Sequence, residues 1–181
     1  MLVLIGKTAT GKTRIKDELV KMGYESVVTT TTRPMRDGEI QDVTYHFVDK
    51  SQFRRMDAQG LFAETTSYNT VHGRWYYGTQ LADLENDENK VIILNPDGIK
   101  SLPQKMDISK WFVVYLDCPE EIISERLKNR GDDTDEVIRR MEADRKDFEN
   151  ISKYICCTIT NDGTRTPLSI AGDIAFLYKN R

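Results

Sequence analysis

The run Gly6-Lys-Thr-Ala-Thr-Gly11-Lys12-Thr13 sets two glycines five residues apart, directly before a lysine and a threonine. This is the P-loop pattern, and its chemistry is the holding of a polyphosphate. Glycines let the backbone close around the anion so that several N–H groups point inward, and the start of the next helix adds partial positive charge. Lys12 would reach the β- and γ-phosphates of a nucleoside triphosphate, and the Thr13 hydroxyl would hold Mg²⁺. Lys7 has no assigned chemistry and is expected to face solvent. A second anion-binding pattern follows in "TTTTRPMRDGE", where Arg33 and Arg36 stand three residues apart in a turn preceded by hydroxyls. Charge-assisted bonds from that pair could clamp a monophosphate; read alone, the segment is equally a loop with two exposed arginines.

The flanking sequence must position these groups. "LVLI" is a short apolar run ended by Gly6, and "RIKDELVKMG" carries Ile15, Leu19 and Met22 at helical spacing until Gly23 stops it. Strand, glycine loop and helix are the context the P-loop needs. "ESVVTTTT" reads as one strand broken by Pro34, and "VTYHFVD" as another. Asp49 and Gln52 have the spacing of a capping box opening the helix "QFRRMDAQ". "LFAETTSY" and "RWYYGT" read as strands joined by a polar connection. Beyond Gln80 helical and strand signals alternate: "QLADLEND", "KVIIL", "DGIKSLPQK", "WFVVYLDC", "PEEIISERLKNR", "DTDEVIRRMEADRKDFENISK", "YICCTIT" and "PLSIAGDIAFLYK". Strands so uniformly apolar belong in a buried parallel sheet, which makes the chain α/β.

Composition narrows the partners. The 181 residues suffice for one ordinary core, and 26 basic against 29 acidic side chains give a net charge of -3. No basic excess points to nucleic acid or to a membrane surface, and no run is long enough to span a bilayer. A cytoplasmic protein is expected. Cys118, Cys156 and Cys157 show no C-x-x-C spacing and lie in apolar runs, so all three are expected in the core without disulfide or metal roles. The sequence carries no signature of oligomeric state.

The turn at Arg33 and Arg36, together with "DVTYHFV", "GLFAE" and "YYGT", resembles the acceptor lobe of guanylate kinases, in the same order behind the same loop. The resemblance extends to "ERLKNRG" followed by "DEVIRRM", which is similar to that family's lid, and to "ITND". It implies an α/β P-loop three-layer fold with a central parallel sheet, an inserted, mostly antiparallel acceptor lobe and a helical lid. The expected division of this one domain is core at 1–32, 80–125 and 153–181, acceptor lobe at 33–79 and lid at 126–152. The implied reaction is transfer of the γ-phosphoryl of ATP to GMP or dGMP, with Mg²⁺ as cofactor. The implied ATP set is Gly6, Thr8, Thr10, Gly11, Lys12, Thr13, Arg126 and Asn161. The implied acceptor set is Thr29, Arg33, Arg36, Tyr45, Glu64, Tyr77, Thr79 and Asp97, and the catalytic cations are Lys12, Arg36, Arg130 and Arg140.

Glu64 has independent chemical sense, because guanine offers N1–H and N2–H₂ as adjacent donors that one carboxylate accepts together. Hydroxyls such as Thr29 and Thr79 can donate to O6 or N7. For Arg126, Arg139 and Arg145, surface ion pairs are the competing reading. Two stretches depart from the family pattern. The connection "TSYNTVHGRW" between Glu64 and "YYGT" is longer, with His72 and Trp75 read as loop residues. In "LNPDGIKSL" Asn95 takes the place of the first of two family aspartates, and Asp97 is either a ligand or a turn or capping residue. The competing functions are a kinase of the same fold acting on another nucleotide or a phosphorylated sugar, and a non-catalytic binding module.

Overall fold

The computed structural model describes residues 1–70, 73–129, 131 and 134–181, without the side chain of Glu136. A five-stranded sheet runs in the order β2-β7-β1-β8-β9, where β1 is Leu2–Ile5, β2 Glu25–Ser26, β7 Lys90–Ile93, β8 Phe112–Asp117 and β9 Cys157–Thr160. Every pairing in it is parallel. Alternation along β1 splits the core in two. Leu2 and Leu4 pack with Ile15, Leu19, Ile170 and Ile174 from α1 (Lys12–Lys21) and α6 (Pro167–Lys179). Val3 and Ile5 pack on the other face with Ile92, Ile99, Leu102 and Trp111, beside α3 (Pro96–Ser101). Burial on both faces is why these strands are apolar at successive positions.

A second sheet, ordered β4-β3-β6-β5, is built from β3 (Thr30–Thr31), β4 (His46–Phe47), β5 (Phe62–Thr70) and β6 (Gly73–Gln80). Its β3–β6 and β5–β6 pairs are antiparallel, and β3–β4 is parallel. α2 (Lys50–Ala58) opens with the expected capping box, Asp49 and Gln52 bonding each other's backbone. α4 (Glu120–Asn129) and α5 (Thr134–Asp147) form the helical lid. Among the described residues no helix is long and apolar enough to cross a membrane.

Several expectations are corrected. "ESVVTTTT" is two short strands in different sheets: Glu25–Ser26 lies beside β7, whereas Thr30–Thr31 lies between β4 and β6, so the smaller sheet begins before residue 33. Val27 bridges them, its N–H donating to Val91 O while its side chain is buried in the core. "VTYHFVD" contributes only His46–Phe47, and "QLADLEND" forms two 3₁₀ turns, Ala82–Leu84 and Asp87–Asn89. Of the cysteines, Cys118 is buried and Cys157, at the start of the edge strand β9, is half-buried, but Cys156, which precedes that strand, is exposed.

Candidate active site

Between β1 and α1 the loop turns tightly enough to demand glycine at both ends. A Cβ on Gly6 would lie 2.6 Å from Leu116 O, and one on Gly11, at φ +94°, would lie 2.5 Å from Asn161 Nδ2. No side chain caps α1 and its first turn holds no carboxylate, so the positive end of the helix is left for an anion. Lys12 folds back over the loop, donating to Gly6 O at 2.7 Å and Lys7 O at 2.6 Å, with Thr10 Oγ1 at 3.5 Å. Burial of the ammonium lowers its pKa to about 8, against a smaller upward pull from Asp144. Lys7, expected in solvent, is half-buried with Nζ 3.5 Å from Glu120 Oε1.

Behind the loop, Asn161 donates to Thr10 O at 2.8 Å and accepts from Arg126 at 3.3 Å. Arg126 also donates to Ala9 O at 3.1 Å, so it braces the loop, and among the described residues it forms no ion pair with an acid. Both side chains border a cavity of about 710 Å³ with Gly11, Lys12, Thr13 and Gly163, on the donor side of the loop. Arg145 does form the surface pair, bidentate to Glu120.

A further cavity adjoins this loop. At about 370 Å³, it is lined by Thr8 and Thr13 from the P-loop, Arg33, Arg36, Tyr45 and Tyr77 from the smaller sheet and its turn, and Arg139 and Arg140 from α5. Lys16, Arg33, Arg36, Arg139 and Arg140 therefore line one cleft together with the two P-loop threonines. Arg33 stacks over Tyr45 with 5.4 Å to the ring centroid. Glu39 holds Arg33 in a fork at 2.7 and 2.9 Å and takes the Arg36 N–H at 2.7 Å. Burial raises the Glu39 carboxyl, but these bonds and charges outweigh it and leave the carboxyl below its ordinary pKa. The turn is thus held with its carboxylate ionised.

A neighbouring cavity of about 330 Å³ carries Glu64, Thr79, Thr29, Asn95 and Pro96, together with Gly6, Thr8 and Lys12. Glu64 is only 5% exposed. Its Oε1 accepts from Thr79 Oγ1 at 2.6 Å, whereas Oε2 has no hydrogen-bond partner among the described residues. A carboxylate so sheltered ionises less readily than usual, so its pKa is raised by burial despite the Thr79 bonds and Lys105. A buried acceptor atom without a donor is costly, and a ligand with two adjacent N–H groups would satisfy it. Thr79 gives its single proton to Glu64, so it orients the carboxylate and does not donate to a base in this arrangement. Asn95 caps α3 by accepting from Gly98 N–H at 2.6 Å, while Asp97 is exposed on that first turn and does not line the cavity. Arg130 and His72 lie outside the described residues.

Thr13 borders both the larger cavity and the shared cleft, and its hydroxyl is of the kind that could hold Mg²⁺. Among the described residues no group of three or more His, Cys, Asp or Glu side chains could hold a metal.

The guanylate kinase family model matches residues 1–169. The chain belongs to the guanylate kinase family. It is 32% identical over 163 residues to a guanylate kinase of Sulfurimonas denitrificans, covering 85% of this chain and 76% of that one. It is 33% identical over 174 residues to one of Alkalilimnicola ehrlichii, covering 92% and 83%. The crystal structure of guanylate kinase from Anaplasma phagocytophilum superposes with a TM-score of 0.74 at 19% identity, over 99% of this chain and 84% of that one, which is agreement in fold.

Within this guanylate kinase fold several site residues escaped the sequence reading. Asp144 of α5 accepts the Thr8 N–H at 2.6 Å, placing a carboxylate against a P-loop amide. Its pKa is raised by burial, against opposing pulls from the Thr8 bond, Lys12, Lys7 and Arg140. Lys16, one turn along α1 from Lys12, lines the shared cleft, as does Arg139, for which a surface ion pair was the competing expectation. The spacing of Lys16 to Lys12 was a usable signal; Asp144 had none.

Proposed function

We propose that this chain transfers the γ-phosphoryl group of ATP to GMP or dGMP, giving ADP with GDP or dGDP. The observation that carries the choice of guanine is the buried Glu64 Oε2, left without a donor beside an Oε1 fixed by Thr79. Guanine N1–H and N2–H₂ would satisfy that carboxylate, whereas adenine presents no such pair of donors and would leave it stranded. Thr29 stands across the same cavity to meet the O6 or N7 edge.

The acceptor phosphate would lie among Arg33, Arg36, Tyr45 and Tyr77, with Glu39 holding Arg33 in place. The donor tail would lie on the P-loop amides with Lys12 turned from Gly6 O and Lys7 O toward the phosphates. Arg36, Arg139 and Arg140 border the space between the two, where charge grows on the equatorial oxygens of the transferred group. Thr13 would hold Mg²⁺, which supplies neutralisation of the β- and γ-phosphate charge when bound. Closure of α4 and α5 over the cleft would exclude water as a competing acceptor. Such a reaction on free nucleotides fits a cytoplasmic enzyme without nucleic-acid or membrane partners.

The test is chromatography of products after incubation with Mg-ATP and each of GMP, dGMP, AMP, CMP, UMP and dTMP. GMP and dGMP are expected to yield diphosphates far faster than the rest. Preference for AMP or a pyrimidine would overturn the assignment of Glu64, and no transfer to any monophosphate would overturn the kinase reading.

A further inference from the structure

The β5–β6 hairpin continues past the residues that meet base and phosphate. Its register pairs Glu64 with Thr79, Thr66 with Tyr77 and Tyr68 with Trp75, so Glu64, Tyr68, Tyr77 and Thr79 share one face of the sheet. Tyr68 meets the Tyr77 ring edge-on at 5.9 Å, and Tyr77 meets Tyr45 in the same way at 6.4 Å. Tyr68 is therefore the last ring in a row that begins beneath Arg33.

The arginine-lined cavity and the Glu64 cavity adjoin, and Tyr68, Ile93 and Asp147 are among the residues that wall both. A nucleoside monophosphate with its phosphate among the arginines and its base at Glu64 has its sugar at that junction. We propose that Tyr68 is the sugar wall of the acceptor site, packing its ring against the sugar and setting how tightly the acceptor is held. The proposal rests on the acceptor reading above. Burial raises the phenol pKa, and the charges of Asp147, Asp97 and Asp144 push it the same way, so the wall stays neutral beside the phosphate. An uncharged aromatic face is suited to a sugar ring flanked by anions.

The experiment compares the wild type with Tyr68→Phe, Tyr68→Leu and Tyr68→Ala. Steady-state KM is measured for GMP, dGMP and ATP, and an inhibition constant for a guanine phosphonate whose base and phosphorus are joined by an open chain. Tyr68→Ala is expected to raise KM for GMP and dGMP by about tenfold or more, leaving KM for ATP within about twofold. Tyr68→Phe is expected to stay near the wild type, and the open-chain inhibitor, which has no sugar ring to pack, to lose little affinity in any variant. Tyr68→Leu, which keeps apolar bulk for folding, is expected to fall between. Unchanged KM for GMP in Tyr68→Ala and Tyr68→Leu, or equal losses for ATP and the open-chain inhibitor, would overturn the sugar wall alone. A wild type that turns over no guanine monophosphate would overturn the acceptor reading, and the sugar wall with it.

Discussion

Replacing Asp144 with alanine should tighten ATP binding. In the ligand-free chain its Oδ2 accepts the Thr8 N–H at 2.6 Å, within the loop whose amides would surround the donor phosphates. On the proposed function the carboxylate stands where a phosphate oxygen would, and ATP would have to displace it. A hydrogen bond to a charged group contributes roughly 1.5–3 kcal/mol, and partial solvent access at Asp144 argues for the lower end, about 1.5 kcal/mol. A competing state of that depth weakens apparent affinity about tenfold, since only the fraction with the amide free binds. Loss of negative charge near the incoming phosphates acts in the same direction. Calorimetric titration with Mg-ATP should therefore give a Kd lower by about five- to thirtyfold in Asp144→Ala, and an intermediate Kd in Asp144→Asn, whose amide oxygen still accepts but without charge. Unchanged or weaker ATP binding in Asp144→Ala would refute the reasoning, because the contact would then be no obstacle to the donor.

Lys12 should make donor binding pH-dependent. Its pKa of about 8 in the free chain lies below the ordinary lysine value, so the ammonium is present below that pH and lost above it. Bound phosphates would restore the charged form, so ATP binding should take up more protons at pH 8 than at pH 7 and weaken as pH rises further. Titrations in buffers of different ionisation enthalpy measure this; no uptake at pH 8 would contradict it. Lys12→Ala should abolish transfer while the thermal unfolding transition remains cooperative. Glu64→Ala should raise KM for GMP by about a hundredfold or more, with KM for ATP little changed, as expected when a buried charged acceptor of two hydrogen bonds is removed. Unaltered discrimination between GMP and AMP in that variant would count against base reading.

Legibility in the sequence followed the range of the interactions. Gly6 to Thr13 could be read because the glycines, the lysine and the helix start act on one another within eight residues, a spacing a motif records. The family resemblance and the chemistry of a carboxylate both suggest guanine at Glu64, but its burial and its bond from Thr79 depend on the β5–β6 register. Arg126 was ambiguous because helical spacing shows only its own helix; its partners Ala9 and Asn161 come from elsewhere in the chain. Asp144 lies 136 residues from Thr8, and no local pattern links them. The run Glu25–Thr32 read as one strand because β-branched residues report extended backbone, not which sheet receives it. Glu39 is not singled out by the sequence, although its three-residue spacing from Arg36 allows the bond it makes.

The proposed donor loop and acceptor clamp open onto one cleft, lined by Thr8 and Thr13 together with Arg33, Arg36, Arg139 and Arg140. The most direct test is calorimetric binding of a single molecule in which adenosine and guanosine are joined through their 5′ oxygens by a chain of phosphates. One molecule per chain, held at least about tenfold tighter than ATP or GMP and displaced by either, is the expected result. Binding of two molecules per chain, or failure of GMP to compete, would contradict the shared cleft.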